Sequence, residues 1–195
     1  MKIKGHRQVG LVGSFWFVYF SFFHFHLWVI LASVWFFMIG NTAPDTLELS
    51  KYNENAYFKR TSVIPHRTYT HWFLLWFFLF LISGVLTFFY HQYWLPLLAY
   101  SIGGLIHLLC DLPNPTGIPI FHPRKRRKTL NLWKSGENET LIFIFLIFIS
   151  VVFLYISHPY IFTESRKYFT IQNGREISQY LIERMINELK YLKNI

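Results

Sequence analysis

The sequence predicts an all-α membrane protein. It reads as a helical bundle of two helical hairpins (residues 10–40 and 72–110), a further transmembrane helix (141–157) and a C-terminal amphipathic helix. Three observations carry this. Charged residues make up 15% of the chain and hydrophobic residues 53%, with 22 Phe and 7 Trp, too little charge for the surface of a water-soluble domain. Residues 10–40 contain no Lys, Arg, Asp or Glu at all. Of the 19 Lys and Arg, set against 10 Asp and Glu, 13 fall in the polar segments 1–9, 41–71 and 111–140 that flank the apolar ones, as the positive-inside tendency favours.

The stretch at 10–40 is too long for one untilted span and short for two, since a span takes ~20 residues. Charge decides between the options. Residues 1–9 carry three Lys or Arg, 41–71 carry four and 111–140 carry six. If 10–40 doubles back near Ser21-Phe22-Phe23-His24-Phe25-His26, all three polar segments share one face, which is then cytoplasmic. Each arm would be ~15 residues, or ~22 Å. A single span would put the run Arg124-Lys125-Arg126-Arg127-Lys128 outside. The N-terminus superficially resembles a signal peptide, but its apolar run is too long and no small-residue cleavage site ends it, so it is read as retained.

Residues 72–90 and 94–110 make the second hairpin, around a tight link at His91-Gln92-Tyr93. Trp72, Trp76 and Trp94 sit near the predicted span ends, as interfacial aromatics do. Residues 141–157 are almost pure Ile, Phe, Leu and Val. From Gly174 onward, Ile177, Tyr180, Leu181, Met185, Leu189 and Leu192 recur at three- and four-residue steps, an amphipathic helix for the membrane surface, a partner or the protein's own loops. The chain therefore divides into a membrane-embedded domain, 1–157, and a tail, 158–195. Its single cysteine, Cys110, excludes an internal disulfide.

Ionisable groups at the edge of an apolar span are costly to keep there, which marks them as functional candidates. His107 and Asp111 are four residues apart, on one face of a helix, where imidazole and carboxylate converge on one cation. The bland alternative makes His107 a hydrogen-bonded core histidine and Asp111 a helix exit before Pro113. His66-Arg67-Thr68-Tyr69-Thr70-His71 is the second patch. Thr68 or Thr70 would cap the helix that starts here, and a bend would turn both histidines inward. By itself this patch also suits an interfacial cluster. Asp45, in Ala43-Pro44-Asp45, and His6 are unremarkable alone. Under the hairpin topology, however, His6, Asp45, His66, His71, His107 and Asp111 share one face. Histidine and carboxylate are the ligand set for zinc or a similar divalent metal. Six such groups suffice for two ions, or one ion plus a general base. Cys110 faces elsewhere on its helix and reads as a small buried residue.

In order, Gly5-His6, Ala43-Pro44-Asp45, His66-Arg67-Thr68-Tyr69-Thr70-His71, Gly104-Leu105-Ile106-His107-Leu108-Leu109-Cys110-Asp111 and Thr116-Gly117-Ile118-Pro119 resemble the YdjM-like family of inner-membrane proteins. That family is described as metal-dependent hydrolases, distantly similar to zinc-dependent phospholipase C and P1-type nucleases. The resemblance implies that His6, Asp45, His66, His71, His107 and Asp111 are metal-site residues. One departure is clear. The family often has Pro-Asp-x-Asp-His, where this chain has Pro44-Asp45-Thr46-Leu47-Glu48. Leu47 cannot bind metal, and Glu48 is the nearest substitute at a different spacing.

The expected function is a membrane-bound, metal-dependent hydrolase of a phosphoester such as a phospholipid, at the cytoplasmic face of a bacterial inner membrane. Zinc is the expected metal. Asp45 would be a ligand or the base that orients water, and Arg67 would neutralise charge on phosphate. Membrane lipids are the expected partners, with Arg124, Lys125, Arg126, Arg127 and Lys128 near anionic headgroups. That basic run lacks a nucleic-acid-binding fold around it, so nucleic acid is not expected. The alternatives are a non-catalytic metal-binding or regulatory membrane protein and a small transporter.

Overall fold

The uncharged stretch at 10–40 does fold back on itself. In the computed structural model, α1 (Ile3–Ser21) and α2 (Leu27–Thr46) form an antiparallel pair with the chain reversing between them. The structure describes residues 2–22, 24–48, 50–51, 61–62, 64–65, 67–125, 127–157, 178–180, 182–187 and 190. The break falls where length and charge place it, but the arms are longer than expected. They have 19 and 20 residues because the helices continue into the polar flanks, Ile3–Val9 and Asn41–Thr46. At 1.5 Å per residue each is ~29 Å long, close to the ~30 Å hydrocarbon core of a bilayer.

The second hairpin joins α3 (Phe73–Val85) to α4 (Leu95–Asp111). α3 runs on through one π-helical turn, Leu86–Tyr90, before His91 takes an extended conformation. A 3-10 turn at Gln92–Trp94 then leads into α4, whose second residue is Pro96, where a missing N–H costs nothing. The two hairpin tips meet: the His26 N–H donates to Gln92 Oε1 at 3.0 Å. The open ends of both hairpins therefore lie together at the other end of the bundle.

α2 and α4 form the most extensive helix pair. Their approach depends on glycine. A Cβ at Gly40 would overlap the Tyr100 carbonyl, and one at Gly103 would overlap the Phe37 carbonyl. Small residues let helix backbones touch in this way inside membranes. α3 reaches α4 through Trp76, whose ring covers Gly104. Trp76 is 3% exposed, so it is a core side chain and not the interfacial residue its position suggests. Deeper in the same pair, Ser83 Oγ and Ser101 Oγ share a hydrogen bond of 3.2 Å.

Four helical runs are long and apolar enough to cross a membrane: Leu27–Thr46, Phe73–Tyr90, Gln92–Asp111 and Glu139–Ser157. The last is α5, a helix that begins at Glu139. Two short antiparallel pairs lie outside these runs, β1 (Ser50–Lys51) with β2 (Thr61–Ser62) and β3 (Ile118–Pro119) with β4 (Arg127–Lys128). The chain forms two compact units, Met1–Phe143 and Ile144–Ile195. In the tail, residues 178–180 and 182–187 are helical, with Tyr180 and Met185 exposed. Ile177, Leu181, Leu189 and Leu192 of the amphipathic pattern lie outside the described residues.

Candidate metal centre

The open ends of the hairpins bring the candidate ligands together. α1 contributes His6 from its first turns, and α2 contributes Asp45 from its last. A 3-10 turn, Tyr69–His71, delivers His71 just before α3. α4 supplies His107 and Asp111 from its final turn. His6, His107 and Asp111 form one group with ligand atoms mutually within 4.8 Å, and Asp45, His71 and His107 form a second. His107 belongs to both. His66 lies outside the described residues. Cys110 is half-buried and in neither group.

The separations suit a cation better than hydrogen bonds. His6 Nε2 is 3.4 Å from Asp111 Oδ1, and His71 Nε2 is 3.4 Å from Asp45 Oδ1 and 3.6 Å from Asp111 Oδ2. His107 Nε2 is 3.8 Å from Asp45 Oδ1 and 3.7 Å from Asp111 Oδ2. Two ligands bound to one zinc at 2.0–2.1 Å sit about 3.4 Å apart along a tetrahedral edge. Buried imidazole nitrogens normally find a partner. Among the described residues neither nitrogen of His6 nor the Nε2 of His107 has a hydrogen-bond partner, so His107 Nε2 and one nitrogen of His6 could bind a cation.

The surroundings fix which nitrogen faces the centre. His107 Nδ1–H donates to the Asn41 carbonyl at 2.8 Å, so the Nε2 lone pair points inward. Asn41 also donates from Nδ2 to the His6 carbonyl, tying α1 to α2. Glu48 does the same work for His71. Its Oε1 lies 3.2 Å from His71 Nδ1 and accepts from the Arg67 N–H at 2.9 Å and the Thr70 hydroxyl at 3.3 Å. Glu48 thus lies behind His71 and outside both groups of candidate ligands. Leu47 is 47% exposed at the end of α2, pointing away from the cluster.

Arg67 sits at a positive φ of 57° and is 5% exposed. Its Nη2 is 2.8 Å from Asp111 Oδ2, and its Nη1 donates to the Thr116 hydroxyl and the Gly117 carbonyl. Asn114 Nδ2 donates to Asp111 Oδ1 at 3.1 Å. Neither Thr68 nor Thr70 caps α3, whose N-cap is Trp72. Thr68 donates instead to the Pro65 carbonyl at 2.6 Å, which holds the loop in shape.

Asp45, Glu48 and Asp111 bring three carboxylates to the cluster, and Arg67 pairs with Asp111 at 2.8 Å. Burial alone would lower the His71 pKa, but hydrogen bonds to Asp45 and Glu48 outweigh it and raise the pKa above the ordinary histidine value. Access is one-sided. The Asp45 side chain is 20% exposed, whereas those of His6, His71, His107 and Asp111 are 2% or less. The sequence gives little warning of Asn41, Glu48 or Asn114, because each acts through a contact made only when the helices pack.

Compared with known families, residues 1–174 match the YdjM inner membrane protein family. No curated protein and no solved structure matches the chain. With this match over most of its length and four helices fit to span a bilayer, the chain belongs to the YdjM inner membrane protein family and is an integral inner-membrane protein.

Proposed function

We propose that this protein is a metal-dependent hydrolase that cleaves a phosphoester, such as that of a phospholipid, at the cytoplasmic face of the membrane. The observation that carries the reading is the gathering of three imidazoles and two carboxylates in two groups that share His107, each with ligand atoms mutually within 4.8 Å. Their nitrogen and oxygen donors and tetrahedral-edge spacings favour zinc. His6, His71, His107 and Asp111 would hold the ion, with Asp45 as a further ligand or as the base. A bound divalent ion would acidify water and polarise a phosphoryl oxygen. Asp45, the exposed member, is the group placed to take a proton from incoming water. Arg67 positions Asp111 and adds positive charge beside any anion that reaches the centre.

A second reading, a structural or regulatory metal site without catalysis, draws support from the burial of every candidate ligand except Asp45. The transporter reading has less behind it, because the ionisable groups gather at one end of the bundle rather than along a path. Metal analysis of the purified protein against a His71→Ala, His107→Ala double variant tests the site. Absence of metal from both would remove both metal readings. If the wild type carries metal, a screen of phosphoesters and phospholipids with Asp45→Asn as control separates enzyme from scaffold.

A further inference from the structure

An apolar cleft of about 630 Å3 runs along α1 and α4 inside the membrane-spanning part of the bundle. It begins at Gly13 and Ile106. Ile106 immediately precedes His107, and Gly13 lies seven residues beyond His6, ~10 Å along the helix. At Gly13 α1 packs closely on Phe37 and Ile106, since a Cβ there would stand 2.8 Å from the Phe37 ring and 3.3 Å from Ile106 Cδ1. The cleft then follows α4 for eleven residues, ~16 Å, to Leu95 and Phe88 at the hairpin tips. Its polar side chains, Ser21 and His24, are both at the tip end.

An apolar void of this size lies within the ~300–1,000 Å3 of ligand pockets. Left empty, it would deprive its walls of dispersion contacts, and water would gain almost no hydrogen bonds in it. Apolar side chains line it, on and beside helices apolar enough to span a bilayer. We propose that the cleft seats one acyl chain of a membrane phospholipid, with the phosphate of that lipid at the His6–His107 end. The placement of the phosphate rests on the proposed function; the seating of the chain does not. On this reading the substrate is a bilayer lipid drawn in sideways, not a water-soluble phosphoester.

The full chain, reconstituted in vesicles of phosphatidylethanolamine and phosphatidylglycerol carrying a diazirine midway along one acyl chain, provides the test. After irradiation and digestion, adducts are expected to concentrate on Ile102 and Ile106, well above the exposed α3 residues Phe78 and Ile82. Ile102→Trp, which fills the cleft, is expected to reduce them several-fold while bound metal stays unchanged. The wild-type map decides the matter even if that variant fails to fold. Equal labelling of α3 and α4 would overturn the proposal. So would crosslinking of a photoreactive residue at position 102 to α5 or to a second copy. Concentrated adducts without any phosphoester hydrolysis would sink the hydrolase and leave the cleft; even labelling with hydrolysis intact would do the reverse.

Discussion

Glu48 Oε1 stands 3.2 Å from His71 Nδ1, so a buried carboxylate sets the direction in which His71 Nε2 faces Asp45 and Asp111. Partners of this kind fix the tautomer and raise the basicity of a metal-binding imidazole. Glu48→Ala is therefore expected to weaken divalent-metal affinity roughly 10–100-fold, the usual loss on removing such a partner. Glu48→Gln keeps an acceptor oxygen and should lose less. Competition with a metal indicator measures both, and an unchanged affinity in Glu48→Ala would remove Glu48 from the centre.

The raised pKa of His71 has opposite consequences with and without metal. In the metal-free protein the protonated ring stabilises the fold. That contribution is complete below the unfolded value of ~6.5 and is lost as pH rises through the higher folded value. Metal needs the neutral ring, so its affinity should rise with pH across the same window and then level off. Thermal midpoints and metal titrations between about pH 6 and 9 read both trends. In His71→Ala the metal-free trend should flatten; an equally steep trend there would assign it to another group.

The α2–α4 crossing sets the spacing between Asp45 and the His107–Asp111 pair. Gly40→Leu drives a side chain into the Tyr100 carbonyl and should cost about 3 kcal/mol, the upper range for overpacking. It should also lower metal content although it touches no ligand. Thermal unfolding in detergent together with metal analysis checks this. A variant of normal stability and metal content would show that the crossing tolerates separation.

Topology is open to chemical labelling. In a Cys110→Ala background, Gln8→Cys and Ser50→Cys flank the first hairpin and should react from the same, cytoplasmic, side with an impermeant maleimide. Reaction of the two from opposite sides would contradict the hairpin; reaction of both from outside would invert the orientation.

The hairpins were legible because length and charge are global properties: a 10–40 stretch without charges, flanked by cations, has few arrangements in a bilayer. His107 and Asp111 were legible because helical spacing alone puts them together. Asn41 and Glu48 were not. Asn41 reads as one polar residue after an apolar run, and only the packing of α2 on α1 and on α4 brings its side chain to the His6 carbonyl and its own carbonyl to His107. Glu48 invites comparison with the missing acid at position 47, yet the loop that follows wraps Arg67, Thr70 and His71 around it. Arg67 reads as a cation for phosphate, and only the folded loop shows that its guanidinium also pairs with Asp111. Trp76 shows the same limit, since Gly104 on another helix is what buries it.

The ligands come from four elements, with His6 at the start of the first hairpin and Asp111 at the end of the second. During synthesis, then, no partial chain holds the full set. The centre comes into being only after the last helix of the second hairpin has entered the bilayer and its tip has met the first. Metal capture at such a centre would accordingly be a late event in biogenesis, tying one hairpin to the other. A chain stalled after α3 would be a membrane protein with no centre to fill.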